Sequence, residues 1–293
     1  MSLPRISIVT PSYNQAQYVG WTVRSVLLQR YPELEYIMMD GGSTDGTMDV
    51  LAPWADRFAY LVSEKDKGQS DAIHQGFVRA TGDYLAWINS DDLYLPGALE
   101  RVRAALAAHP EWDVVSGDHV RIDAESRVRS AHRYVGESAA AARRGIFHAC
   151  QPTVFFRRSL YEKVGGLKRD LYMVLDTELF FRFLDAGAVW GHVPAYQVAF
   201  RMHGSTKTTR DQSKVAHEYA LLDRQYAHYH APTPGHYAGR AAHKAMQFLS
   251  GREISARRDA RRWRGRTVGD VFGITPSPEP ADKSGSMTPT RPG

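Results

Sequence analysis

The sequence predicts an α/β fold, a mostly parallel central sheet flanked by helices, with further helices at the C-terminal end. Two observations carry that expectation. Through residues 6–110, short β-prone runs alternate with segments whose apolar residues recur at helical spacing, the order that parallel strands with helical crossovers require. Successive runs also end in loops rich in Asp, Ser, Thr and Gly, and open α/β sheets bind polar ligands at that edge, outside the carboxyl ends of the strands.

The first strand, over 6–10, is stopped by the turn cluster Pro11-Ser12-Tyr13-Asn14. Val19, Val23, Val26 and Leu27 then share one helical face until Pro32 forbids continuation. A second strand, over 35–39, ends at Asp40-Gly41-Gly42-Ser43-Thr44-Asp45-Gly46-Thr47, and the next helix turns Met48, Leu51, Ala52 and Ala55 inward. A third, over 60–63, leads through the polar residues 64–71 into a helix carrying Ala72, Ile73, Gly76, Phe77 and Ala80. The fourth, over 84–88, is large and apolar throughout, as a strand buried on both faces should be. It stops at Asn89-Ser90-Asp91-Asp92, and Pro96-Gly97 starts a helix with Leu99, Val102 and Leu106 on one face. Asp91 and Asp92 thus sit at a strand's carboxyl end, where two hard oxygen donors suit Mg²⁺ or Mn²⁺ holding a diphosphate. The competing reading is that they cap the following helix.

Past His109-Pro110 the pattern becomes more antiparallel, with a hairpin built from 113–116, 119–122 and the turn at 123–127. Residues 139–142 suit a short helix, 151–156 a strand and 160–164 a helical turn broken by Gly165-Gly166. A helix from about Leu175 puts Leu179 and Phe183 on one face and the Glu178/Arg182 pair on the other. Residues 189–200 return as strand into a polar loop at 201–206. From Ser213 a helix aligns Val215, Tyr219, Leu222, Tyr226 and Tyr229 on one stripe, and another covers 236–249.

Hydrophobic residues make up 43% of the 293 and charged residues 24%, ordinary globular usage that excludes a disordered or fibrous chain. The single cysteine, Cys150, cannot form an internal disulfide and fits a reducing, cytoplasmic setting. No apolar run approaches the ~20 residues of a membrane span, and Pro4, Arg5 and Pro11 interrupt any signal-peptide core. The net charge of +5 owes much to the arginines between Arg252 and Arg266; Arg257, Arg258, Arg261 and Arg262 make one basic helical face suited to peripheral contact with an anionic membrane. The first half lacks the interleaved basic and aromatic residues of a nucleic-acid surface.

The ordered set Thr10-Pro11-Ser12-Tyr13-Asn14, the loop 40–47, residues 68–76, Gly82-Asp83-Tyr84 and Asn89-Ser90-Asp91-Asp92 resembles the family-2 inverting glycosyltransferases, which have a Rossmann-like GT-A fold. The resemblance implies a nucleotide-sugar donor, usually a UDP-sugar, bound over about 1–110, and a saccharide or lipid-linked acceptor over 111–210. A helical extension (211–251), the basic segment (252–273) and a disordered tail (274–293) would follow. It implies that Thr10, Pro11 and Tyr13 border the base, that Asp40 bonds the uracil or ribose, and that the run from Gly68 to Asp71 approaches the nucleotide. Asn89 and Ser90 would join the donor loop. Asp91 matches the last acid of the family's Asp-x-Asp triplet; Asn89 at its first position leaves one fewer charge and makes Asp92 a helper in holding Mn²⁺ or Mg²⁺. Asp176 matches the catalytic base, Arg201 and His203 a motif that closes over the diphosphate, with His203 a metal ligand, and Gln151 the acceptor-facing wall. A sugar-nucleotide nucleotidyltransferase is the competing enzyme reading, but 10–14 has neither the Gly nor the Lys of its pyrophosphate loop.

Overall fold

Ile6–Ser12 (β1) is buried along its whole length because a strand lies on either side of it and helices cover both its faces. It pairs in parallel with Leu34–Asp40 (β2) and Tyr84–Trp87 (β4), and β2 pairs in parallel with Tyr60–Ser63 (β3). The order β3-β2-β1-β4 reverses direction at β1, which opens a crevice beyond the strands' carboxyl ends. The computed structural model describes residues 3–136, 138–142, 146–204, 212–230 and 234–274.

The second half extends the same sheet. Phe155–Arg157 (β8) runs antiparallel between β4 and Val114–Ile122 (β6). On its other side β6 pairs in parallel with Trp190–Arg201 (β9); the runs expected at 113–116 and 119–122 merge into this one strand, which forms an antiparallel hairpin with Val128–His132 (β7) across the expected turn at 123–127. Leu93–Tyr94 (β5), a two-residue strand too short to show in the pattern, closes antiparallel on β9.

Alternation along the strands divides the core in two. Ile6, Ile8, Tyr36 and Met38 face Val19–Leu27 (α1), Thr47–Leu51 (α2) and Ala98–Ala108 (α4). Val9, Ile37, Met39 and Trp87 face Gln69–Arg79 (α3), and this side also packs Arg158–Lys163 (α6) and Leu175–Asp185 (α7). A short helix, Ala139–Ala142 (α5), lies between β7 and β8. Gly76 brings α3 onto β1: a Cβ there would stand 2.6 Å from Val9 Cγ1.

Two expected elements differ. Residues 151–156 are not one strand: Gln151–Thr153 is a 3₁₀ turn closed by Val154 N–H to Gln151 O (2.9 Å), and only Phe155–Arg157 pairs. Pro152, without an N–H, cannot serve a ladder there. After α2, Pro53 tightens the chain to a 3₁₀ helix over Ala52–Arg57, which turns Trp54 inward and leaves Ala52 and Ala55 exposed.

The C-terminal helices are Gln212–Gln225 (α8), Ala227–His230 (α9), Pro234–Leu249 (α10), Arg252–Trp263 (α11) and Val268–Phe272 (α12). Leu222, Tyr226 and Tyr229 pack on Phe181 and Leu184 of α7, as the stripe predicts, but Tyr219 is exposed and Glu218 is buried in its stead. Helix α11 docks on β7: Ala256 is buried, Asp259 accepts from the Tyr196 hydroxyl (2.9 Å) and Arg133 (3.1 Å), and Arg252 reaches Asp118 (2.6 Å). Its Arg257, Arg258, Arg261 and Arg262 all point to solvent. The expected disordered tail begins one residue too early, since Ile274 is buried against Val268 and the hairpin core; its remainder, 275–293, and the polar loop's far end, 205–206, lie outside the described residues.

The Glu178/Arg182 pair exists but faces inward. Glu178 accepts from Arg182 Nη2 (2.7 Å) and the Tyr226 hydroxyl (2.8 Å), and pairs with Lys168 (2.7 Å). Burial raises its pKa, yet Arg182 and Lys168 outweigh that and hold it below the usual 4.5. A depressed carboxylate contributes stability above pH 4.5 and loses it as pH falls through the lower folded value. Glu178→Gln should therefore cost about 3 kcal/mol or more at pH 7, the scale for breaking a buried pair, with the gap from wild type closing in acid. Denaturant unfolding across pH checks this; a gap independent of pH contradicts it.

Candidate active site

A cleft of about 710 Å³ lies at the reversal of strand order. Pro11, Ser12 and Tyr13 line it from the end of β1, Gly41 and Gly42 from β2, and Lys65, Asp66, Gly68 and Gln69 from the β3–α3 loop. Trp87, Asn89, Ser90 and Asp91 come from β4 and its loop, and Gln151, Tyr172, Met173, Asp176, Arg201 and His203 from the second half. The volume suits a nucleotide-sized ligand.

The acidic loop is shaped from beneath. Arg201, 1% exposed at the end of β9, donates Nε to the Asp91 carbonyl (2.8 Å) and Nη1 to the carbonyls of Asp123 (2.9 Å) and Ala124 (3.2 Å) and the Ser126 hydroxyl (2.9 Å). Its backbone N–H donates to Asp92 Oδ1 (2.8 Å), and Tyr18 covers the guanidinium at 4.7 Å. Two residues on, His203 Nε2 meets Asp91 Oδ2 at 3.0 Å. Asn89 is held by Gln69 Nε2 (2.6 Å) and donates to Asp92 Oδ2 (3.3 Å).

Pro11, Tyr13, Gly68, Asn89, Ser90, Asp91, Gln151, Asp176, Arg201 and His203 thus share the cleft, and four other expected residues do not. Thr10 is fully buried, its hydroxyl 3.1 Å from that of Tyr36, because its position in β1 points into the core. Asp40 spends both oxygens on its own loop, accepting from Gly42 N–H (3.2 Å), Ser43 N–H (2.9 Å) and the Ser43 (2.5 Å) and Ser63 (2.6 Å) hydroxyls. Asp71 accepts from Lys67 N–H (3.1 Å) and Arg169 Nε (2.7 Å) and so ties α3 to the loop before α7. Asp92 is 1% exposed behind the loop; burial, then the neighbouring Asp91, push its carboxyl well above the usual range. It braces β9 by accepting the Arg201 N–H and does not line the cleft. Arg201 spends Nε and Nη1 on the loops around it, while its Nη2 has no acceptor among the described residues.

Asp176, second residue of α7, is half-buried in the cleft wall. Burial raises its pKa, and the Thr177 N–H on Oδ1 (2.7 Å) opposes that. Residue 178 lies roughly 200° further round the helix, which is why Glu178 turns inward.

Gln69 lies within the run 68–71 expected at the nucleotide, whereas the sequence assigns Asp66 no role. Asp66 fits only because residue 41 is glycine: a Cβ on Gly41 would stand 2.7 Å from Asp66 Oδ2. The Asp66-Lys67-Gly68 turn, with Gly68 N–H on Asp66 Oδ1 (2.7 Å), is the signal that could have found it. Among the described residues, no three His, Cys, Asp or Glu side chains converge as a self-sufficient metal cage.

Residues 7–165 match the model of the family described as glycosyl transferase family 2. An uncharacterized glycosyltransferase of Rickettsia typhi, RT0329, is 30% identical over 228 residues, 75% of this chain and 70% of its own. The mannosyltransferase PcManGT from Pyrobaculum calidifontis, solved with GDP-Man and Mn²⁺, superposes with a TM-score of 0.57 at 21% identity, over 90% of this chain and 84% of that one. S. aureus TarS 1-349, solved with UDP-GlcNAc, does so with a TM-score of 0.56 at 15% identity, over 70% of this chain and 61% of that one. At such identities the two structures speak for the shared GT-A fold, and the sequence matches speak for the family. This chain is a glycosyltransferase and belongs to glycosyl transferase family 2.

Proposed function

We propose that this enzyme moves a sugar from a nucleoside diphosphate donor, a UDP-sugar, to an acceptor hydroxyl with inversion at the anomeric carbon. The observation that carries this reading is that Asp91 and Asp176, borne by separate elements, open into one cleft at the sheet's reversal point. The donor class draws support from the UDP-GlcNAc of the S. aureus structure and the GDP-Man of the archaeal one. The acceptor we propose is a saccharide or lipid-linked saccharide of polysaccharide or glycolipid synthesis.

Asp91 and His203 fit one Mn²⁺ or Mg²⁺. An oxygen and a nitrogen 3.0 Å apart match two adjacent positions around a small cation whose ligands sit about 2.0–2.2 Å away. With only two protein ligands, such an ion keeps places for water and substrate phosphate, the habit of Mg²⁺ sites. When bound, the ion supplies Lewis-acid stabilisation to the departing diphosphate.

The chain's own residues do the rest. Tyr13, Asp66 and Gly68 frame the donor's side of the cleft, and Gln151 and Tyr172 the side that Asp176 shares. Asp176 Oδ1 is engaged by Thr177, and Oδ2 takes the acceptor hydroxyl's proton. As the acceptor oxygen bonds to the anomeric carbon, the bond to the β-phosphate oxygen breaks and its electrons leave with the nucleoside diphosphate. One displacement needs no enzyme nucleophile. The raised pKa of Asp176 makes it a stronger base than an exposed carboxylate.

For membrane contact, the solvent-facing Arg257, Arg258, Arg261 and Arg262 lie near the exposed Phe248, Leu249 and Ile254 of the α10–α11 junction, a basic and apolar pairing suited to an anionic lipid surface. No described helix is long and apolar enough to cross a membrane.

Asp91→Asn should weaken Mn²⁺-dependent UDP binding, read by calorimetry, by about tenfold or more, since one of two protein ligands loses its charge. Asp176→Asn should keep that affinity while release of nucleoside diphosphate, screened over UDP-GlcNAc, UDP-glucose and GDP-mannose, falls about 10²- to 10⁴-fold. Wild-type metal-dependent binding in the first, or near-normal turnover in the second, overturns the respective role. Replacing the four arginines by Gln should abolish salt-sensitive sedimentation with phosphatidylserine vesicles; unchanged sedimentation removes the membrane proposal.

A further inference from the structure

Helix α7, which carries Asp176, has no cap of its own: Val174 stands at the N-cap position and offers no side-chain acceptor. The N–H of that N-cap residue and the two N–H groups before it are instead held from elsewhere in the chain. The Glu218 carboxylate on α8 accepts from the backbone N–H of Tyr172 (2.6 Å), Met173 (2.6 Å) and Val174 (3.2 Å), and Glu218 is 8% exposed. Tyr172 and Met173 line the cleft, and Asp176 follows two residues after Val174. A buried carboxylate with three charge-assisted N–H partners at a helix N-terminus is a strong fixture, since it also complements the helix dipole.

The fixture is itself anchored. Leu222, Tyr226 and Tyr229 hold the following part of the extension against Phe181 and Leu184, and the Tyr226 hydroxyl donates to Glu178 Oε1 at 2.8 Å. From the donor side, the Ser70 hydroxyl donates to the Leu171 carbonyl (2.5 Å) and Arg169 Nε to Asp71 (2.7 Å). The segment before α7 is therefore clasped between the N-terminus of α3 and the Glu218 carboxylate. Glu218 lies beyond residues 7–165 that match the family.

We infer that Glu218 is a positioning residue for Asp176, an inference that rests on Asp176 being the general base. Its carboxylate sets where α7 begins, and so the depth and rotation at which Asp176 enters the cleft. Without it, the N–H groups of Tyr172, Met173 and Val174 lose their acceptor, the entry into the first turn loosens, and Asp176, two residues after Val174, loosens with it. A displacement of about 1 Å in a catalytic group can cost about 10²-fold in rate.

The experiment compares Glu218→Ala and Glu218→Gln, alone and on Asp176→Asn, in three measurements. These are amide hydrogen exchange over 172–176, calorimetry of UDP with Mn²⁺, and turnover of whichever of UDP-GlcNAc, UDP-glucose and GDP-mannose the wild type consumes. Glu218→Ala should speed exchange at 172–176, leave UDP affinity within about twofold, and lower kcat about 10- to 100-fold. Glu218→Gln, which keeps one acceptor oxygen, should recover part of both losses, and it carries the comparison if the Ala variant does not fold. On Asp176→Asn neither change should lower turnover further, because the base they position is gone. Unaltered exchange in both variants, wild-type kcat, or an equal loss on the Asp176→Asn background overturns the positioning role. Near-normal turnover by Asp176→Asn alone instead removes the base assignment on which the inference rests.

Discussion

A single buried arginine holds the site together. Burying a guanidinium costs several kcal/mol unless acceptors meet it. Nη2 of Arg201 is buried with no acceptor among the described residues, but Nε and Nη1 meet most of the demand with carbonyls from two separate turns. One is the acidic loop after β4 and the other is the tip of the β6–β7 hairpin, so the cation can be satisfied only when both have reached their final places. Asp92 completes the arrangement by accepting the Arg201 backbone N–H. The consequence for chemistry is indirect but strict: with its own carbonyl fixed from below, Asp91 turns its carboxylate into the cleft and meets His203, which leaves β9 two residues after the clamp. Two acids adjacent in sequence thereby take opposite tasks, one structural and one open to ligand.

The same economy governs the other side of the cleft. The segment before α7 has little regular structure, yet it bears Tyr172 and Met173 and leads directly to Asp176. Its order comes from groups far away in the chain: Ser70 and Asp71 at the start of α3, and Glu218 on α8. The carboxyl-terminal helices are for that reason a part of the site's support. Fixing catalytic groups through rigid elements, and not through the loop's own preferences, preorganises them at little cost during the reaction.

Much of this could be read from the sequence, for identifiable reasons. Strands β1 to β4 and their helices announce themselves by period, and the polar loops mark the cleft's edge because nothing else places Asp, Gly and Ser together after apolar runs. The motif match located Asp91, Asp176 and His203 in one cleft. What a motif cannot show is which oxygen is already taken. Asp40, Asp71 and Asp92 look like ligand-binding acids in a one-dimensional reading, and each is instead saturated by local N–H groups, hydroxyls or a distant arginine. Glu218 was invisible because its partners are backbone N–H groups some 44 to 46 residues away, which no side-chain pattern encodes.

The central claim is that the Arg201 clamp divides the acid pair, aiming Asp91 with His203 at a cation and withholding Asp92. Anomalous diffraction at the manganese edge, from crystals grown with UDP and Mn²⁺, tests it most directly. The account predicts one manganese peak bonded to both the Asp91 carboxylate and His203 Nε2, with Asp92 still bonded to the Arg201 N–H. A peak coordinated by Asp92, or one away from the Asp91–His203 pair, would contradict it.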